Sequence, residues 1–126
     1  MTVTLLRELP ERTGLEYNVA LVYMQTVLME GEPPYYPMMF LVMDRKNGMI
    51  VTYKIIGDLV EGYAEATKAL LECLINYGKP SRIYGITVRT CVFLQTICEQ
   101  LGIPWKQDAV MIKMKKMLET LMDEYR

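Results

Sequence analysis

The chain has 126 residues, enough to bury a real core without disulfide or metal staples, and 52% hydrophobic with 23% charged residues marks it as globular rather than disordered. Its formal charge of −1, from 14 basic and 15 acidic residues, argues against a dedicated nucleic-acid binder. Histidine is absent, which excludes Ser-His-Asp and Cys-His nucleophile pairs and His-ligated zinc. Taken in order, residues 1–16 open with the amphipathic Leu5-Leu6-x-x-Leu9, stopped by Pro10 and Gly14. Tyr17–Met29, rich in β-branched and aromatic residues, is expected to be a long strand, although periodicity alone leaves a helix open. Residues 31–37 are expected to form a loop, because Pro33, Pro34 and Pro37 each lack an amide donor.

Met38–Met43 is an apolar run ending in Asp44-Arg45-Lys46-Asn47-Gly48, and Met49–Ile56 is a second β-rich run. Asn47-Gly48 predicts a tight hairpin in which both turn residues take positive φ. Asp58 is placed to cap a helix, with Glu61 completing an acidic capping box. Tyr63, Ala66, Leu70, Cys73, Leu74 and Tyr77 then repeat near 3.6 residues as a buried face, ended by Gly78 and Pro80. Arg82–Val88 reads as a short strand. A second helix from about Thr90 buries Phe93, Ile97 and Leu101 and stops at Gly102, and residues 103–107 read as an edge strand because Pro104 cannot donate to a ladder. Asp108 caps a last helix whose Met111, Met114, Leu118, Leu121 and Tyr125 are spaced 3-4-3-4. Two heptads are too few for a coiled coil, so a helix covering one sheet face is expected. The whole predicts one α/β domain. Its mixed sheet combines an antiparallel hairpin with βαβα units and helices on both faces; residues 1–36 form an N-terminal extension and 37–126 the core.

No apolar stretch approaches the ~18–20 residues needed to cross a bilayer, and residues 1–8 have no basic stretch typical of an export signal. A cytoplasmic address with no membrane partner is therefore expected. Cys73, Cys91 and Cys98 are odd in number and lack C-x-x-C spacing, as ordinary reduced thiols would. Lys106, Lys113, Lys115 and Lys116 do not share one helix face and are followed by Glu119, Asp123 and Glu124. A solvated charged face is favoured there over a phosphate-binding stripe. Eleven methionines and nine tyrosines are high for this length. The pair Tyr35-Tyr36 beside Met38 is the candidate interface, because tyrosine and methionine favour such surfaces. No phosphate-cradling glycine loop or cofactor signature is present.

The element order resembles the ribonuclease H-like fold, and within it the catalytic core of retroviral-type integrases and transposases. It is also similar to small bacterial domains of unknown function with this layout. Four segments carry the resemblance. Phe40–Gly48 stands where that family has its first catalytic aspartate. Tyr77-Gly78-Lys79-Pro80-Ser81-Arg82-Ile83 resembles the lead into the fourth strand. Ile86–Phe93 stands in place of an aspartate-asparagine-glycine stretch ending in phenylalanine, and Leu101-Gly102-Ile103-Pro104 resembles the opening of the fifth strand. The resemblance implies two divalent metals, Mg or Mn, held by carboxylates from the first strand, the fourth strand and the last helix. Asp44 matches the first of these. The second falls on Val88, with Arg89 beside it, and only Glu119 or Glu124 stands near the third. Three strands should also precede the first helix, where only two precede Asp58 unless Tyr17–Met29 supplies the missing one.

Asp44 has a plainer role as a turn former. The expected function is a non-catalytic binding or structural module with a homodimeric or other protein partner and no cofactor. The alternatives are a metal-dependent nuclease or strand-transfer enzyme using Asp44 with Glu119 or Glu124, or small-molecule binding at the carboxyl ends of the parallel strands near Asp44 and Arg89.

Overall fold

The computed structural model describes residues 8–23, 38–57 and 59–124. In chain order its elements are β1 (Glu16–Tyr23), β2 (Met38–Asp44), β3 (Ile50–Ile56), α1 (Leu59–Asn76), β4 (Arg82–Gly85), α2 (Val88–Leu101), β5 (Trp105–Gln107) and α3 (Ile112–Asp123). The strands form one mixed sheet in the order β3-β2-β1-β4-β5. β1 and β2 pair antiparallel, as do β2 and β3, while β1, β4 and β5 run parallel. The two parallel connections pass through α1 and α2, as crossovers between parallel strands must.

β1 is the central strand. Its Tyr17, Val19, Ala20 and Leu21 are buried, and all seven positions of β2 are buried, so these two strands are covered on both faces. The expected strand at 17–29 is therefore present over its described part, and it supplies the third strand ahead of α1. The boundary at residue 37 is corrected by this: residues 16–23 belong inside the ribonuclease H-like core and are not an extension of it. Residues 24–29, the opening at residues 1–7, the proline loop and Asp58 lie outside the described residues.

The hairpin turn is longer than Asn47-Gly48 suggests. Asp44 and Met49 close it, with Asp44 N–H donating to Met49 O (2.8 Å) and Gly48 N–H to Asp44 O (2.8 Å). Only Gly48 has positive φ, at 74°. The reason is Asp44 itself, whose Oδ1 accepts from Lys46 N–H (3.0 Å) and Asn47 N–H (3.4 Å) and winds residues 45–47 into a wider loop.

α1 and α2 cover one face of the sheet, where Leu70, Leu74, Phe93, Leu94 and Leu101 pack on Tyr17, Val19, Leu21, Phe40 and Val42. Tyr63, expected in that buried face, is instead 46% exposed with its ring stacked 6.1 Å from Phe93. α3 covers the other face, with Met111, Met114, Leu118 and Leu121 on Ala20, Met39, Leu41, Met43 and Ile86. Its heptad-like spacing thus serves packing on a sheet. β4 ends at Gly85, three residues earlier than expected, because Thr87 turns the chain and caps α2, its Oγ1 accepting from Thr90 N–H (3.1 Å). Gly85 permits that turn: a Cβ there would lie 2.8 Å from Cys91 Sγ. No helix among the described residues is long and apolar enough to cross a membrane.

Candidate functional site

Asp44 ends β2 opposite Tyr17, which lies at the start of β1. It therefore sits at the amino end of the parallel strands, on the face covered by α1 and α2. Its side chain is buried, and Oδ2 accepts from the Tyr77 hydroxyl (2.8 Å) while Oδ1 takes the two turn amides. Tyr77 follows α1, and Gly78 beside it takes φ of +136°. The fully buried Tyr17 directs its hydroxyl at Gly78 O and Cys73 O, and burial holds its phenol well above the ordinary range. Arg12 donates to Tyr77 O (2.9 Å) and lies 5.1 Å from the centre of that ring. Arg12, Gly14, Lys46 and Asn47 line a cavity of about 260 Å³ beside Asp44. The cluster positions a carboxylate and a phenol with every acceptor oxygen of Asp44 already engaged.

The next residue, Arg45, serves the opposite face. It donates to Asn18 Oδ1 and to Asp108 Oδ2, both at 2.9 Å, and its guanidinium lies 3.7 Å from the centre of the Tyr84 ring. Tyr84 in turn donates to Glu16 Oε2 (3.3 Å). The Val110 N–H and then Arg45 hold the Asp108 carboxyl below its usual range. This chain of contacts ties β1, the hairpin turn, β4 and the approach to α3. Both members of the ion pair are partly exposed, so it contributes ~1 kcal/mol or less. Sequence reasoning missed Asn18, Tyr84 and Asp108 as its partners, because they come from three segments with no shared spacing.

At the carboxyl end the character changes. β4 stops before it can pair with Leu21, and the buried Thr90 hydroxyl takes its place, accepting from Leu21 N–H (3.0 Å) and lying 3.4 Å from Leu21 O. Arg89 stacks over Tyr23 at 4.2 Å, and Val88 is 65% exposed at the first turn of α2. Six residue steps of β1 lead from Tyr17, beside Asp44, to Tyr23, beside Arg89, a rise of roughly 20 Å. Asp44 and Arg89 therefore lie at opposite ends of the sheet, and the cavity of about 340 Å³ at the carboxyl end is lined by Arg89 and not by Asp44.

The metal chemistry implied by the resemblance needs carboxylates that converge, and the residues present do not fit it. β4 (Arg-Ile-Tyr-Gly) holds no carboxylate, and the only one on β1, Glu16, is engaged by Tyr84. Where β1, the end of β4 and α3 meet, the side chains are Ala20, Ile86, Met111 and Met114, all buried and apolar. Asp44 is on β2, and the sheet stands between it and α3, where Glu119 is exposed; Glu124, just past the helix, is also exposed. Val88 is a helix residue beyond β4. Among the described residues no three Cys, Asp or Glu side chains stand together as a metal cluster.

Met38, the third interface candidate, is corrected as well: at 3% exposure it belongs to the core and presents no surface. Tyr35 and Tyr36 lie outside the described residues. Cys73, Cys91 and Cys98 are free and buried; burial pushes the Cys73 thiol up to about 11 and Cys98 to about 12, far from a reactive thiolate.

A five-stranded sheet in the order 3-2-1-4-5 with helices on both faces defines a ribonuclease H-like α/β protein, and solved structures agree. The HTLV-2 integrase catalytic core domain in complex with magnesium matches with a TM-score of 0.60 in its trimeric form and 0.57 in its dimeric form. Identities are 15% and 16%, covering 94% of this chain and 73% and 74% of those. The simian T-cell lymphotropic virus intasome in complex with PP2A regulatory subunit B56 gamma matches with a TM-score of 0.58 and 17% identity over 87% of this chain, which spans 40% of the matched chain. At these identities the likeness is one of fold. By sequence, the chain belongs to the family described as a domain of unknown function (DUF6930), over residues 2–122. No curated protein matches it.

Proposed function

We propose that this domain is a non-catalytic protein-interaction module on a ribonuclease H-like sheet. The observation that carries the reading is the position of Asp44. Its carboxylate is spent on Tyr77 and two turn amides, on the opposite side of the sheet from α3 and Glu119. The junction where the resemblance would gather carboxylates is filled instead by Ala20, Ile86 and Met114, which stabilise packing and cannot ligate a cation. The rival, strand transfer or nuclease chemistry through Asp44, requires the sheet to rearrange.

Titration of Mn²⁺ into ¹⁵N-labelled protein tests the reading, with Asp44→Asn as control. The expected result is no site-specific paramagnetic broadening. Selective broadening at residues 42–46, 87–90 and 119–124, lost in Asp44→Asn, would overturn it and restore the two-metal enzyme.

A further inference from the structure

β3 is one edge of the sheet, and among the described residues nothing pairs with its outer side. The direction of its free groups follows from two bonds. Asp44 N–H points to β3 and Arg45 N–H to β1, so alternation sends the ladder groups of Phe40 and Met38 toward β3. Their partners Lys54 and Ile56 bond inward, which leaves the N–H and C=O of Tyr53 and Ile55 directed outward. The strand contains no proline and one charge, so little blunts it as a template for pairing.

An identical strand is its natural complement. Antiparallel pairing centred on Tyr53 makes Tyr53–Tyr53 a hydrogen-bonded pair and sets Lys54 of each copy directly opposite Thr52 of the other, in the closer, non-bonded type of pair. A register centred on Lys54 would oppose like charges, and the bulge opposite Val42 and Met43, which leaves Val51 without a register partner, discourages slippage toward the start of the strand. Thr52 is also on the rim of a cavity of about 200 Å³ that Glu72 and Asn76 of α1 share with it. Among the described residues neither Lys54 nor Glu72 forms an ion pair within the chain. In that register the opposing Lys54 stands beside the cavity lined by Glu72, an acidic group with no ion pair among the described residues.

We propose that the chain forms a two-fold dimer by β3–β3 pairing about Tyr53, with Lys54 of each copy reaching Glu72 of the other. This rests on the interaction-module reading and names its partner. An edge contact of this size is small, so the dissociation constant should be on the order of 10 μM.

Sedimentation equilibrium across concentration tests it. Tyr53→Pro removes an outward N–H together with a ring that is 41% exposed, changes an edge strand tolerates, so it should give a monomer with an unchanged far-UV spectrum. Lys54→Glu should weaken the dimer about threefold, and Lys54→Glu with Glu72→Lys should restore it. A wild-type chain that stays monomeric to about 1 mM, or a dimer indifferent to the charge swap, overturns the proposal. Neither result alters the Mn²⁺ outcome, so failure of the dimer and failure of the module reading are separable.

Discussion

At the amino end of the parallel strands, Asp44, Tyr77, Tyr17 and Arg12 are joined by side-chain hydrogen bonds running between β1, β2 and the segment after α1. At the carboxyl end the joint is made by close approach, Gly85 against Cys91 and Leu94, and by one hydroxyl, that of Thr90. The difference follows from strand length. β4 has four residues and β1 eight, so β1 outruns its parallel neighbour and its free backbone groups need a substitute partner. The amino end has no such deficit. Its polar groups serve to hold a turn and the end of α1. In open α/β sheets ligands gather at the carboxyl end; here that end keeps a cavity of about 340 Å³ lined by Leu21, Tyr23, Thr87, Val88 and Arg89, while the buried carboxylate stands at the other.

The comparison is tested most severely at Thr90. Thr90→Val keeps the shape and leaves the buried Leu21 N–H without an acceptor, which should cost about 2–3 kcal/mol in urea unfolding. Thr90→Ser keeps the hydroxyl and should cost about 1 kcal/mol or less, the value of a methyl group. Equal stability of the two variants would show that the hydroxyl is not what makes the joint at this end.

Asp44→Ala comes next. It strands the Tyr77 hydroxyl, while the turn amides at Lys46 and Asn47 can turn to water, so a loss of about 2 kcal/mol is expected. Tyr77→Phe should cost about 1 kcal/mol, and the double variant little more than Asp44→Ala alone. Strict additivity in that cycle would mean that the carboxylate and the phenol do not act together.

The order of elements from Met38 onward was legible because each is bounded by strong local chemistry: Asp44 to Gly48 for the turn, Gly78 and Pro80 after α1, Gly102 after α2. The burial of Met111, Met114, Leu118 and Leu121 followed from spacing alone. What local chemistry does not encode is which strand stands in the middle. Tyr17 to Tyr23 reads as a strand, but its central place depends on pairing with residues 15 to 27 positions away on one side and 66 on the other. Treating it as an extension made Met38–Asp44 the first strand and gave Asp44 the place of a first-strand catalytic aspartate. Once β1 is counted, Asp44 falls on the second strand and on the face away from α3. Tyr77 was legible as a helix-face residue, yet its hydroxyl could not be matched to Asp44 without the fold.

The smallest effect separates the ends by pH. Tyr17, Cys73 and Cys98 all lie toward the amino end, and burial is the main cause that raises each of them, Cys73 to about 11 and Cys98 to about 12. In the unfolded chain such thiols ionise near pH 8.5 and the phenol near 10. Between those values and the raised ones, the folded state keeps protons that the unfolded state has lost. Stability is therefore full below about pH 8 and declines as pH rises further. Melting temperature under reducing conditions should be flat from about pH 6 to 8 and fall above about 9, with a shallower fall in Cys98→Ala. Amide exchange should accelerate first around Tyr17 and Gly78, while Leu21 beneath Thr90 stays protected. Simultaneous loss of protection at both ends would show that the polar joint and the packed joint open as one unit.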